Sequence, residues 1–110
     1  MSSDGPDEVV VLTTAAGMED ATRLAEALVD RRLIACANLV PGVTSVYRWE
    51  GRVQRDSEVL LILKTTRAVV NRVEEELVDL HAYDVPEVLV LPVVGGSNDY
   101  LAWLRSEVEA

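Results

Sequence analysis

The feature that most constrains this chain is that it carries the same pattern twice. "EVVVLTT" at 8–14 returns as "EVLLILKTT" at 58–66: an acidic residue, an apolar run and a pair of threonines. The apolar runs do not alternate with polar residues. Each therefore reads as a central strand covered by helices on at least one face. A helical stripe follows each run. Ala21, Leu24, Ala25, Leu28 and Val29 recur at i, i+3, i+4, i+7 and i+8 on one face. Glu19 and Asp20 fall in the first turn and Arg31 and Arg32 at the end, as the helix dipole favours. In the second half Val69, Val70, Val73, Leu77 and Leu80 form the stripe, with Thr66 as N-cap. A further strand follows each helix, "LIACANLV" at 33–40 and "EVLVLPVV" at 87–94.

The pattern is β-α-β, then β-α-β. Parallel pairing within each half requires the helix as a right-handed crossover. Joining the halves by a hairpin gives an α+β, ferredoxin-like βαββαβ sandwich: four antiparallel strands with two helices on one face. A last helix is predicted to begin near Ser97, with Leu101, Leu104 and Val108 as its stripe and Tyr100 and Trp103 beside it. The 110 residues suffice for one domain, read over 8–110, preceded by a flexible polar leader at 1–7. That leader is neither signal peptide nor membrane anchor.

The hairpin between the halves is too long for its subunit. Glu50-Gly51 reads as its tight turn. One arm runs from Ile34 to about Trp49 and the other from Arg52 to about Thr66, each about twice what the outer strands can match at ~3.3 Å per residue. Pro41-Gly42 interrupts the first arm and marks a bulge or bend. Beyond it the ribbon stands alone, yet it carries Tyr47 and Trp49. A two-stranded ribbon is marginal in water, and its free edge invites another chain. The expected solution is a closed homotrimer in which each ribbon docks on the next subunit's sheet.

Charge and cysteine content narrow the function. Nineteen acidic residues against ten basic ones give a net charge of -9, which argues against nucleic acid as a partner. No apolar stretch approaches a membrane span. A single cysteine, Cys36, allows no internal disulfide, so a cytoplasmic setting is expected.

The segments "LIACANLVPGVTSVYRWEGRVQRDSEVLLILKTT" at 33–66 and "LHAYDVPEVLVLPVVGGSNDYLAWL" at 80–104 resemble the CutA family of divalent cation tolerance proteins. The resemblance covers about residues 8 to 108. It implies a ferredoxin-like subunit, a tightly packed trimer similar in architecture to PII-type signalling proteins, and binding of copper or another divalent metal. His81 and Cys36 stand at the family's usual His and Cys. Ala82 and Asp84 stand where the family commonly has Pro and Glu, and Thr13 stands where some members have a further Cys.

Read as chemistry, His81 serves either as a C-terminal partner of its helix or as an imidazole ligand for copper or zinc, with Asp84 or Glu87 nearby. Cys36 is either a small apolar strand residue or a further ligand. These groups would make a weak, exchangeable site, with no obligatory cofactor. Tyr47, Arg48, Trp49, Glu50, Tyr83, Glu87 and Trp103 read as subunit contacts or as the wall of a cleft between subunits. In the alternative reading that cleft binds a small molecule, as in a PII-like signalling or scaffold trimer. One His and one Cys do not assemble a nucleophile, base and orienter, so no catalytic residue is assigned and the protein is read as a non-enzyme.

Overall fold

The computed structural model describes residues 7–109. The leader expected at 1–7 therefore lies outside them except for Asp7, whose carbonyl accepts a hydrogen bond from the Arg67 N–H. Seven elements follow in order: β1 (Glu8–Ala15), α1 (Met18–Asp30), β2 (Cys36–Trp49), β3 (Arg52–Thr66), α2 (Val70–Leu80), β4 (Leu89–Pro92) and α3 (Asn98–Glu107). They form an α+β structure with one four-stranded sheet in the order β2-β3-β1-β4. All three neighbouring pairs are antiparallel.

This corrects the parallel pairing expected within each half. β3 lies between β1 and β2, and β1 lies between β3 and β4. The two halves interleave, so each crossover helix skips one strand. One sheet face is sealed by the helices. Val11 of β1 and Leu61 and Leu63 of β3 meet Leu24 and Leu28 of α1 and Val73 and Leu77 of α2 in one buried cluster. Full burial of each such side chain is worth about 1.5–3 kcal/mol. The other face, with Val10, Leu12, Leu60 and Ile62, is only partly covered.

The helix ends depart from expectation in instructive ways. Thr66 does not cap α2. It closes β3 opposite Glu8, and its carbonyl accepts from the Val69 N–H, so one more turn of chain intervenes before the helix. Arg31 and Arg32 lie just past α1 and serve other helices. Arg31 pairs with Glu76 of α2, and the Arg32 guanidinium donates to the carbonyls of Ser106 and Glu107. There it satisfies the carbonyl end of α3. Ser97 does cap α3, its hydroxyl accepting from the Tyr100 N–H at 3.3 Å. Arg105 pairs with the buried Glu8, tying α3 to the start of β1.

β2 and β3 have 14 and 15 residues, whereas β1 has 8 and β4 has 4. The pairing of β1 with β3 ends at Ala15 opposite Val59. Beyond that point residues 43–49 and 52–58 pair only with each other. The ribbon gives the subunit its long axis, with extents of 46 × 27 × 24 Å. Its turn has Glu50 at φ 50° and Gly51 at φ 78°, the doubly left-handed geometry of a two-residue hairpin. At its root the register moves from Val40 opposite Leu60 to Val43 opposite Glu58. Pro41 and Gly42 thus face a single residue of β3, the bulge read from the sequence. β4 is half the length expected, pairing only with Val9–Leu12 of β1.

Candidate functional site

The root of the ribbon gathers the chain's most distinctive polar groups. α2 ends at Leu80, and the segment leading to β4 folds back across the top of β1. His81 Nε2 lies 2.7 Å from the Thr14 carbonyl, and His81 Nδ1 lies 3.0 Å from the Tyr83 N–H. A carbonyl only accepts and an amide N–H only donates, so the proton belongs on Nε2 and the ring is neutral. Both nitrogens are thereby engaged. The Tyr83 ring lies 4.7 Å from the imidazole, centroid to centroid, and its hydroxyl donates to Glu58 at 2.7 Å.

A second phenol repeats the arrangement. Tyr47 donates to Asp56, two residues from Glu58 on the same face of β3. Tyr47 stands opposite Gln54 in the ladder, so this is a diagonal cross-strand contact. Burial, and then the Glu58 carboxylate beside it, push the Tyr83 phenol above its ordinary range. The hydrogen bond to Asp56 does the same for Tyr47. Both phenols therefore act as neutral donors to carboxylates. Tyr83 fixes the ribbon to the segment before β4 and Tyr47 ties the ribbon's two arms together, and neither phenol is an activated nucleophile.

The expected metal set is not gathered in one subunit. Cys36 opens β2 opposite Lys64, while Thr14, which holds His81, stands opposite Leu60. Four strand residues separate those positions along β3, about 13 Å at ~3.3 Å per residue. Asp84 is exposed in the segment after His81. Among the described residues no three His, Cys, Asp or Glu side chains converge as a metal would require. One subunit therefore does not fit a tight divalent-cation site.

The expected cleft residues divide likewise. Tyr47 and Tyr83 belong to the root cluster. Arg48, Trp49 and Glu50 sit at the exposed tip, with Trp49 52% exposed, and Glu87 is exposed just before β4. Trp103 lies on α3 beside Tyr100, whose ring carries the Lys64 ammonium 5.9 Å from its centroid. That cluster is at the other end of the sheet. Asp56, Glu58 and the Thr14 carbonyl join the site without having been singled out in the sequence. Alternation from Arg52 puts Glu58 and Asp56 on one face, but nothing local points to Tyr83 as their partner.

Comparison with known proteins gives a single answer. Residues 9–107 match the family model described as CutA1 divalent ion tolerance protein. The chain is 49% identical over 98 residues to the divalent-cation tolerance protein CutA of Thermus thermophilus, covering 89% of this chain and 95% of that protein. It is 47% identical over 105 residues to a chloroplastic CutA of Arabidopsis thaliana, covering 96% of this chain. It spans 58% of that plant protein's length. The crystal structure of CutA1 from Oryza sativa superposes with a TM-score of 0.92 at 43% identity, over 97% of this chain and 98% of that one.

Proposed function

Since the chain belongs to the CutA1 family of divalent ion tolerance proteins, we propose that it acts in tolerance of a copper-type divalent cation. It does so as a non-enzymatic, closed homotrimer of ferredoxin-like subunits. The observation that carries this reading is the family match across nearly the whole chain, with relatives named for divalent-cation tolerance. The strand order β2-β3-β1-β4 supports the ferredoxin-like description.

The ribbon supports the trimer. Val46, Trp49 and Val53 are 60%, 52% and 69% exposed on an element whose strands, beyond its root, pair only with each other. Covering them on the next subunit's sheet removes apolar surface from water and gives the ribbon the third strand it lacks.

The cation is cargo, held weakly between subunits by His81 and Asp84, with Cys36 from a neighbouring subunit. A cation at His81 competes with the hydrogen bonds that now occupy both ring nitrogens, which favours exchange over tight retention. The partners are other copies of the chain and divalent cations. The proposed compartment is the cytoplasm, although plant relatives are named as chloroplastic. No helix among the described residues is long and apolar enough to cross a membrane.

Two measurements test this reading. Light scattering on dilute protein should give the mass of three chains, and a stable monomer would end the trimer. Titration calorimetry with Cu²⁺ and Zn²⁺ should show weak binding to the wild type and none to His81→Ala. An unchanged isotherm in that variant removes His81 from any metal role.

A further inference from the structure

The ribbon also carries charge that its own subunit leaves unmatched. Across 43–58 Arg48, Arg52 and Arg55 stand against Glu50, Asp56 and Glu58, but Asp56 and Glu58 lie on the other face and accept from Tyr47 and Tyr83, which leaves the face of Arg48 and Arg55 basic. Among the described residues none of these arginines has a carboxylate partner, and Arg48 donates only to the Gly51 carbonyl. Within 74–87 the balance is opposite: acids recur and no Lys or Arg occurs. Glu76 is taken by Arg31, but Glu74, Glu75 and Asp79 make no ion pair among the described residues.

Register fixes which ribbon face bears the charge. Arg48 stands opposite Val53 and Val46 opposite Arg55, so these four residues share one face. The odd-numbered positions of β3 continue downward as Val59, Leu61 and Leu63, all buried under the helices. The arginine–valine face is therefore the helix side of the ribbon, opposite the face of Tyr47 and Trp49.

Topology fixes where that face can go. The free edges of the sheet are β2 and β4, at opposite ends of the strand order, and all four residues of β4 are exposed. A head-to-tail ring joins unlike surfaces, so the β2 edge of one copy meets the β4 edge of the next. A ribbon laid along β4 turns its helix side toward the helix layer above that edge. α2 links β3 to β4 and so crosses that side of the sheet, with Val78 49% exposed among the unpaired Glu75 and Asp79.

We propose that Val46, Arg48, Val53 and Arg55 seat on an acidic shoulder of a second copy of this chain, formed by Glu75, Val78 and Asp79 of α2. The contact rests on the trimeric reading and gives it a specificity element: the valines supply apolar contact and the charges select the surface. Electrostatic matching of this kind steers encounter and penalises wrong seating. A rival seat exists in the groove of about 650 Å³ between α1 and β2, which is lined by Ala25, Val29 and Leu39 and rimmed by Glu26 and Asp30. It lies on the ribbon's own side of the sheet, so it would pair like edges and close two copies in place of a ring.

Charge reversal and its rescue test the contact. Sedimentation equilibrium would compare wild type, Arg48→Glu/Arg55→Glu, Glu75→Arg/Asp79→Arg and the variant carrying all four changes, with circular dichroism confirming the fold of each. Each double reversal should weaken association at least about tenfold, and the fourfold variant should recover most of that loss. Raising salt should weaken the wild type and leave the double reversals less affected. A fourfold variant no better than either double overturns the shoulder while leaving the trimer standing. Rescue of the arginine reversals by Glu26→Arg/Asp30→Arg overturns it in favour of the groove. A monomeric wild type removes the trimer itself and this contact with it.

Discussion

The two halves of β3 belong to one unbroken strand and have opposite surroundings. From Val59 to Thr65 every second residue is buried, whereas from Arg52 to Glu58 none is. The backbone pairing is equally regular in both halves. What differs is cover: the lower half has β1 on its far side and helices on its face, and the upper half has β2 alone. A hairpin can extend a ladder without limit, but it cannot bury its own side chains. Ordinary strand chemistry thus makes a core in one half of β3 and an interaction surface in the other.

Substitutions in the two halves should fail in different ways. Leu63→Ala, in the lower half, should lose about 2–5 kcal/mol of subunit stability through the cavity it opens. Thermal or urea unfolding reads this directly, and a loss below about 1 kcal/mol would contradict the packing described. Trp49→Ala, in the upper half, should leave circular dichroism nearly unchanged but weaken association by about 2 kcal/mol or more, as a buried interface aromatic does. An intact trimer at the same dilution would show that Trp49 is not covered by a neighbour.

The smallest effect belongs to the junction. Tyr83→Phe should cost about 0.5–1.5 kcal/mol by deleting the hydrogen bond to Glu58. Its pH signature is more specific than its size. Burial, and then Glu58, raise the Tyr83 phenol, so the folded protein keeps that proton at a pH where the unfolded chain has released it. The stability tied to it is complete below about pH 10, the ordinary phenol value, and falls as pH rises past it toward the raised value. Urea unfolding at about pH 8 and pH 10.5 should show a steeper alkaline loss in wild type than in Tyr83→Phe. Equal slopes would mean that the phenol and Glu58 do not interact in solution.

The parts of this fold that were legible in the sequence are those set by near neighbours. Glu50-Gly51 announced its turn because a two-residue hairpin needs left-handed backbone, and the stripe Ala21, Leu24, Ala25, Leu28 announced a buried face. Val29 completes that stripe on paper but is 43% exposed, because it lines the open groove between α1 and β2. Strand order was harder, since a crossover helix of given length can skip a neighbour or not. The root cluster was hardest. The His81 bond to the Thr14 carbonyl spans 67 residues and that of Tyr83 to Glu58 spans 25, and no local pattern encodes either. Cys36 and His81 were grouped as candidate ligands on the family resemblance and their metal-binding chemistry, but within one subunit the sheet holds them far apart.

The irregularity at Pro41-Gly42 has a consequence for how this protein can change over time. Two residues there occupy one rung. Dropping either would leave all later rungs matched as before, with both indole and phenol still on the side they now occupy. Dropping a residue from the stretch between Val43 and Trp49 would instead carry the aromatic rings that follow it through to the reverse side of the arm. Length variation should therefore be tolerated at that one spot and rejected just beyond it.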